Sequence, residues 1–344
     1  MKKYISFMAA AFFAAMISSC SNDDITISKT VNFTVNPSTV VGTFSVGEEN
    51  AGELESFNTD CKLNVKLFVY NENGELVKKF SNTYSNYAVQ MKASAFLPQG
   101  RYTAVAITHI DDVVDNIKYW EISDENQLEG LKIIDGGYIG GQNKVLGVTS
   151  SDFYVGDDIE DVNINVYPAG SMLVVRYYNY LALKNLGYTE FSLMANKIME
   201  YLEFDRFGNT EVIADNHNGQ FDWYIDKIDA SNFSAGYDYI YDYEFILPMT
   251  NVGLQFYTED ESSYYTLGNG TSFNTQAGGC YYAYLRLSST VSNISSSFGK
   301  YSGTRGVLGN VGGKGVFVKP SNKRNIVGKT KGQTILVKDL NSIR

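Results

Sequence analysis

The stretch CKLNVKLFVYNENGELVKKF, residues 61–80, alternates apolar and polar side chains on both sides of Asn73-Gly74. A period of two commits a chain to strands, because successive side chains leave a strand on opposite faces. Leu63, Val65, Leu67 and Val69 share one face, Asn-Gly makes a tight turn, and residues 76–80 return. The stretch therefore predicts a hairpin. Residues 30–35 repeat the pattern, with Val31, Phe33 and Val35 set against Thr30, Asn32 and Thr34. Further strands are expected at 87–93, 172–178, 199–204, 237–247, 253–257, 280–287 and 334–337. The 26 Tyr, 20 Phe and 31 Gly against 5 Pro fit many strands joined by Gly-rich turns. The expected class is all-β.

Residues 97–110, LPQGRYTAVAITHI, read as a turn at 97–100 feeding a strand. In it Tyr102, Ala104, Ala106 and Thr108 alternate with Thr103, Val105 and Ile107. Residues 42–60 are polar, Gly-containing and acidic, and read as a loop. A short helix or an irregular insert is expected near 123–131, and one helical turn at 181–186. Pro168-Ala169-Gly170 interrupts the strand pattern of 163–180. Two β-sandwich units in tandem are therefore expected, at 30–168 and 169–344. No repeat of fixed period is present.

The first nineteen residues read as an export signal: Lys2 and Lys3, then an uncharged apolar run over 5–17. That run is shorter than the roughly 20 residues a spanning helix needs. Ile17-Ser18-Ser19-Cys20 resembles a bacterial lipobox, and the resemblance implies that Cys20 becomes the first mature residue and carries acyl chains. Residues 20–29 are then a lipidated tether. Each buried methylene contributes about 0.8 kcal/mol, so several chains together hold a protein to a bilayer stably. Asp23-Asp24, close behind Cys20, resembles the surface-export signal of Bacteroidetes lipoproteins; a plain solvated acidic tether is the other reading. The expected location is the outer membrane, at the cell surface. A net charge of -10 argues against nucleic acid as a partner. Cys61 and Cys280 fall in different expected units and read as two separate buried thiols rather than one disulfide.

Transthyretin-like β-sandwiches, including Bacteroidetes fimbrial subunits, carry a leucine-proline-x-glycine-x-tyrosine entry into a strand like Leu97 to Tyr102 here. With the lipobox, the acidic pair and the two-sandwich layout, the chain resembles the FimA/Mfa1-type fimbrillin superfamily. Within it the FimB/Mfa2-like anchor lipoproteins fit best. The resemblance implies two transthyretin-like antiparallel β-sandwich domains, and partnership with other fimbrial subunits by β-strand addition. In that family stalk subunits are cut after an arginine in an early loop. Here no arginine precedes Arg101, which lies inside the strand entry. The lipid is therefore expected to be retained, as an anchor or accessory subunit requires. A lysine-specific protease acting near Lys29 or Lys62 would weaken that inference.

No residue is nominated as catalytic, and no cofactor or metal is expected. His109, ahead of Asp111, Asp112 and Asp115, and His217 in ADNHNGQ both read as solvated turn residues rather than metal ligands. GVLGNVGGKG fails as a phosphate loop, with Leu308 at the first glycine position and Gly315 at the Ser/Thr position. The acids 259–261 lack EF-hand spacing. The sharpest candidate is GYDYIYDYEFIL, which puts Tyr237, Tyr239, Tyr241 and Tyr243 on one strand face with Phe245 and Leu247. Such a row either covers a sandwich core or presents rings to a glycan or protein partner. The opposite face, with Asp238, Ile240, Asp242, Glu244 and Ile246, is expected to face solvent. Two functions stay open: a lipid-anchored fimbrial subunit serving pilus assembly and adhesion, and a surface glycan-binding lipoprotein of a carbohydrate uptake system.

Overall fold

A computed structural model describes residues 28–37, 61–85, 89–138, 144–157, 161–188, 190–215, 220–221, 223–229, 239–258, 264–270, 272–289, 293–300 and 335–336. The signal segment, Cys20, His217, Tyr237 and the acids 259–261 lie outside them, as does the glycine-rich 306–315. The first half carries β1 (Ser28–Asn36), β2 (Cys61–Asn71), β3 (Leu76–Tyr84), β4 (Met91–Pro98), β5 (Gly100–Asp112) and β6 (Ile117–Lys118). It continues with β7 (Trp120–Ser123), β8 (Lys132–Asp135), β9 (Leu146–Val155), β10 (Val162–Asn165) and β11 (Tyr167–Pro168). The second half carries β12 (Ser171–Tyr178), helix α1 (Tyr180–Lys184), β13 (Glu190–Ala195), β14 (Ile198–Phe204), β15 (Thr210–Asp215) and β16 (Trp223–Asp229). It ends with β17 (Tyr239–Ile246), β18 (Leu254–Thr258), β19 (Tyr264–Thr266), β20 (Cys280–Arg286), β21 (Ser295–Lys300) and β22 (Ile335–Leu336). The chain is all-β, as its alternation requires.

The first sandwich packs the sheet β10-β1-β4 against the sheet β11-β9-β5-β2-β3. Phe33 of β1 meets Phe153 of β9 edge-on at 5.5 Å and Phe80 of β3 at 6.3 Å. Val31, Phe33 and Val35 are buried with Leu63, Val65, Leu67 and Val69. The hairpin turns where Asn-Gly demands it. Gly74 sits at φ +77°, and Asn71 Oδ1 accepts the backbone N–H groups of Asn73 and Glu75.

The Leu97 to Tyr102 motif makes the corner between the two sheets. Leu97 and Pro98 end β4, which pairs β1, and Gly100 opens β5 in the facing sheet. The expected turn at 97–100 is thus shorter than read, and the strand expected at 87–93 is β4, described from Met91. Tyr102 Oη donates to the Pro98 carbonyl at 2.9 Å, tying the corner shut across four residues.

Segment 119–135 covers the outer face of the larger sheet. Tyr70 Oη donates to the Glu125 carbonyl, and Lys79 pairs with Glu125 over the Phe68 ring. Phe68, Tyr70, Val105 and Ile107 are therefore as buried as the inner face. Residues 124–131 are turns between β7 and β8, which selects the irregular reading over the helix.

The second sandwich packs β21-β20-β12-β17-β22 against β16-β13-β18-β19. Tyr177 of β12 lies 5.8 Å from Phe256 and 6.5 Å from Phe191 across the layer. A further sheet, β15-β14-β8-β7, draws strands from both sides of Pro168. Main-chain pairing thus crosses the expected boundary, and Trp120 adds an edge-on contact with Phe245 at 6.2 Å. Strands β6 to β9, β13, β15, β16, β19 and β21 fall outside the segments expected as strands. Among the described residues no helix is long and apolar enough to cross a membrane.

Candidate functional site

Strand register decides which way the tyrosine row lies. In β12 and β17, Met172 opposes Phe245, Val174 opposes Tyr243, Arg176 opposes Tyr241 and Tyr178 opposes Tyr239. Directly opposed residues share a face. Positions 239, 241 and 243 therefore join the face of Arg176 and Tyr178. Tyr177, on the other face, is the residue that packs on the facing sheet. Phe245 thus shares the face of Met172, Val174 and Arg176, turned away from Tyr177, while Glu244 takes the inter-sheet face. This corrects the expectation that the acidic side faces solvent: Glu244 and Ile246 are buried. The side chains of Tyr239, Tyr241 and Tyr243 lie outside the described residues.

Parallel strand β20 extends that outer face, placing Tyr282 beside Val174, Tyr284 beside Arg176 and Arg286 beside Tyr178. The described side chains interleave cations with rings. The Arg176 guanidinium lies 5.0 Å from the centre of the Tyr284 ring, and that of Arg286 lies 5.5 Å from Tyr178. Tyr178 meets Tyr284 edge-on at 5.9 Å, and Tyr282 lies 4.6 Å from Tyr284. Arg176 is 1% exposed, while Tyr178, Tyr282 and Tyr284 are half-buried. A desolvated guanidinium under a ring holds that ring in place. The result is a cluster of half-buried rings, edge-on and tilted to one another, held against two guanidinium groups. Tyr282, Tyr284 and Arg286 went unremarked in the sequence. The alternation YYAYLR was the available signal, but its significance depends on pairing with β12.

The remaining candidates are structural. His109 is buried in β5, with Nδ1 3.2 Å from Asp111 Oδ1, rather than in a solvated turn. The strand continues through it, and segment 119–135 covers that face. Among the described residues, no three His, Cys, Asp or Glu side chains are grouped to hold a metal. Cys61 and Cys280 are buried and form no disulfide with each other, and burial pushes the Cys280 thiol up to about 12. At that value it carries negligible thiolate. Between the halves a cleft of about 230 Å³ is lined by Asp135, Lys144, Trp223 and Glu244. Lys144 Nζ is 2.6 Å from Asp135 Oδ2 and stands over the Trp120 ring, whose Nε1 donates to the Lys144 carbonyl. Asp135, Lys144 and Trp120 thus pair with one another within the first half, and Trp120 meets Phe245 of the second.

No protein-family model and no curated protein matches the chain. Among solved structures it is similar to the tip fimbrial protein Mfa3 from Porphyromonas gingivalis with a C-terminal truncation. That likeness has 10% identity over 79% of this chain and 99% of that one, with a TM-score of 0.43. It is similar to the fimbrial anchor protein Mfa2 from the same organism, at 12% identity over 79% of this chain and 98% of that one, TM-score 0.39. A fimbrial assembly protein from Parabacteroides distasonis is similar at 10% identity over 80% of this chain and 96% of that one, TM-score 0.36.

Proposed function

We propose that the chain is a lipid-tethered surface subunit of a fimbrial or adhesive assembly at the outer membrane, an anchor or accessory component that receives partner subunits by strand addition. The observation that carries this reading is the edge of the second sandwich. β12 pairs β17 over eight residues, whereas the terminal strand β22 pairs it at Ile240 and Tyr241. A long strand paired over a short stretch among the described residues is a template for a partner's strand, with main-chain hydrogen bonds for affinity and alternate side chains for specificity. Tyr237, Tyr239, Tyr241 and Tyr243 are the proposed contact row on that strand, continuous with Tyr282 and Tyr284. Cys20 is the proposed lipid attachment.

Two variants expressed in the native cell test it. Cys20→Ala should move the protein from the membrane to the soluble fraction, with loss of acyl label. Deleting residues 333–344 should lower the melting temperature of the isolated monomer, because β22 then no longer closes the sheet. If the truncated monomer melts unchanged yet fails to join partner subunits, the tail is a donor strand. The chain is then a polymerising subunit, and the anchor reading is refuted.

A further inference from the structure

A separate cleft of about 820 Å³ opens on the first sandwich, a size that suits a small-ligand site. Its floor is the end of β5 and β9, where register sets Arg101 opposite Tyr154 and Thr103 opposite Asp152. One wall is the β2–β3 turn with Glu72; the other is the β14–β15 turn with Arg206 and Phe207. Both halves of the chain thus contribute to it.

Two rings stand out of this surface. Tyr154 is 57% exposed and Phe207 is 63% exposed. Their neighbours Tyr102 and Phe153 put their ring faces together at 5.5 Å and pack into the core, so the fold has no need of Tyr154 or Phe207 for burial. Both exposed rings are nevertheless held. Gln99 Nε2 donates to Tyr154 Oη at 3.1 Å. Phe207 rides on a fixed turn. The Asp205 carboxylate accepts the backbone N–H groups of Phe207 and Asn209, each at 2.8 Å, and Asn209 Nδ2 at 2.9 Å. Gly208, at φ +78°, seats that turn on the sheet: a Cβ there would lie 3.1 Å from Ser150 and 3.3 Å from Thr103. The Arg206 guanidinium lies over the Phe207 ring at 4.5 Å. Rings fixed before binding lose less entropy on contact.

The polar groups alternate in sign. Among the described residues, the side chains of Arg101 and Glu72 make no hydrogen bond or ion pair. Asp152 accepts one hydrogen bond, from Thr103 Oγ1 at 2.7 Å. Guanidinium groups only donate and carboxylates only accept. In the cleft lining Arg101 and Arg206 balance Glu72 and Asp152, and Asp205 stands behind Arg206 in the turn, so the cleft carries no excess of positive charge for an anion.

We propose that this cleft binds a neutral oligosaccharide. A pyranose offers an apolar C–H face to a fixed ring and a rim of hydroxyls that both donate and accept. That is the complement of exposed rings among alternating donors and acceptors with no net charge. The cleft presents side chains rather than a main-chain edge on β5, which lies between β2 and β9; β9 pairs β11 at Gly147 and Val148, away from Asp152 and Tyr154. The inference is independent of the strand-addition reading, which concerns β17.

Calorimetry on the purified full-length chain, titrated with maltohexaose, cellohexaose, mannohexaose and the anionic tetragalacturonate, tests it. At least one neutral hexasaccharide should bind saturably. Phe207→Ala and Tyr154→Ala should each weaken that binding by about tenfold or more, with melting temperatures unchanged because both rings are exposed. Tyr284→Ala, on the second sandwich, should leave the affinity unaltered. Three results overturn the proposal: no neutral sugar saturates, only tetragalacturonate binds, or binding survives in the Phe207→Ala/Tyr154→Ala double variant.

Discussion

Asp226 lies between the sheets of the second sandwich, 0% exposed, with Oδ2 accepting a hydrogen bond from Tyr177 at 2.8 Å. Burial pushes its carboxyl up to about 7, against the opposing pull of the Tyr177 hydroxyl and the Lys227 backbone N–H. The rings that Tyr177 packs on, Phe191 and Phe256, bring no charge to this layer, and Glu244 shares it. A carboxyl raised on folding holds its proton more tightly in the folded chain. Its contribution to stability is complete below the ordinary value of 3.8 and is lost as pH rises through about 7. At about 1.4 kcal/mol per pH unit, that window spans about 4 kcal/mol. Asp226→Asn keeps an acceptor for Tyr177 and cannot ionise. The variant should therefore match the parent within about 1 kcal/mol at pH 4.5 and exceed it by up to about 4 kcal/mol at pH 8. Urea titrations at three pH values, followed by tryptophan fluorescence, measure this, with Trp223 on the same strand as the reporter. Parallel pH profiles for parent and variant, or a variant weaker than the parent at pH 8, would refute the reasoning. A profile that flattens with Glu244→Gln and not with Asp226→Asn would place the buried proton on the wrong residue and refute it equally.

The other two predictions concern the first sandwich. Leu67→Asp should cost at least the roughly 2–5 kcal/mol of a Leu to Ala truncation, with carboxylate desolvation added, because Leu67 is 0% exposed. An unchanged denaturation midpoint would contradict its placement. Tyr102→Phe removes only the hydroxyl that closes the sheet-to-sheet corner, and should lower stability by about 1 kcal/mol. A neutral result in urea would mean that the corner is held by packing alone.

What the sequence made legible follows from where each signal is local. A hairpin carries its own evidence, since Asn73-Gly74 and the alternation around it lie within twenty residues of one another. The strand at 30–35, the corner at 97–102 and the break at 168–170 are local in the same way. Pairing between halves is not. Nothing in Lys132–Asp135 announces that it will lie beside Ile198–Phe204, because a short apolar run is compatible with many neighbours. The burial of Phe68 and Tyr70 was hidden for the same reason. Their face alternates with a sandwich face, and only the return of segment 119–135 gives it a cover.

The acidic residues of β17 show how far such a pattern reaches. Alternation separates two faces but does not say which one turns inward; that choice belongs to the pairing with β12 and β20. Hydrophobicity alone assigns Glu244 to solvent. The register assigns the opposite, because β12 turns Tyr177 toward Phe191 and Phe256 and the face of Glu244 must follow it. A buried carboxyl is tolerable there when it keeps its proton or finds a donor, and Asp226 with Tyr177 is such a case in the same layer. The second sandwich thus places a protonatable acid inside, so its stability depends on pH, while its opposite face interleaves the rings of Tyr178 and Tyr284 with the cations Arg176 and Arg286.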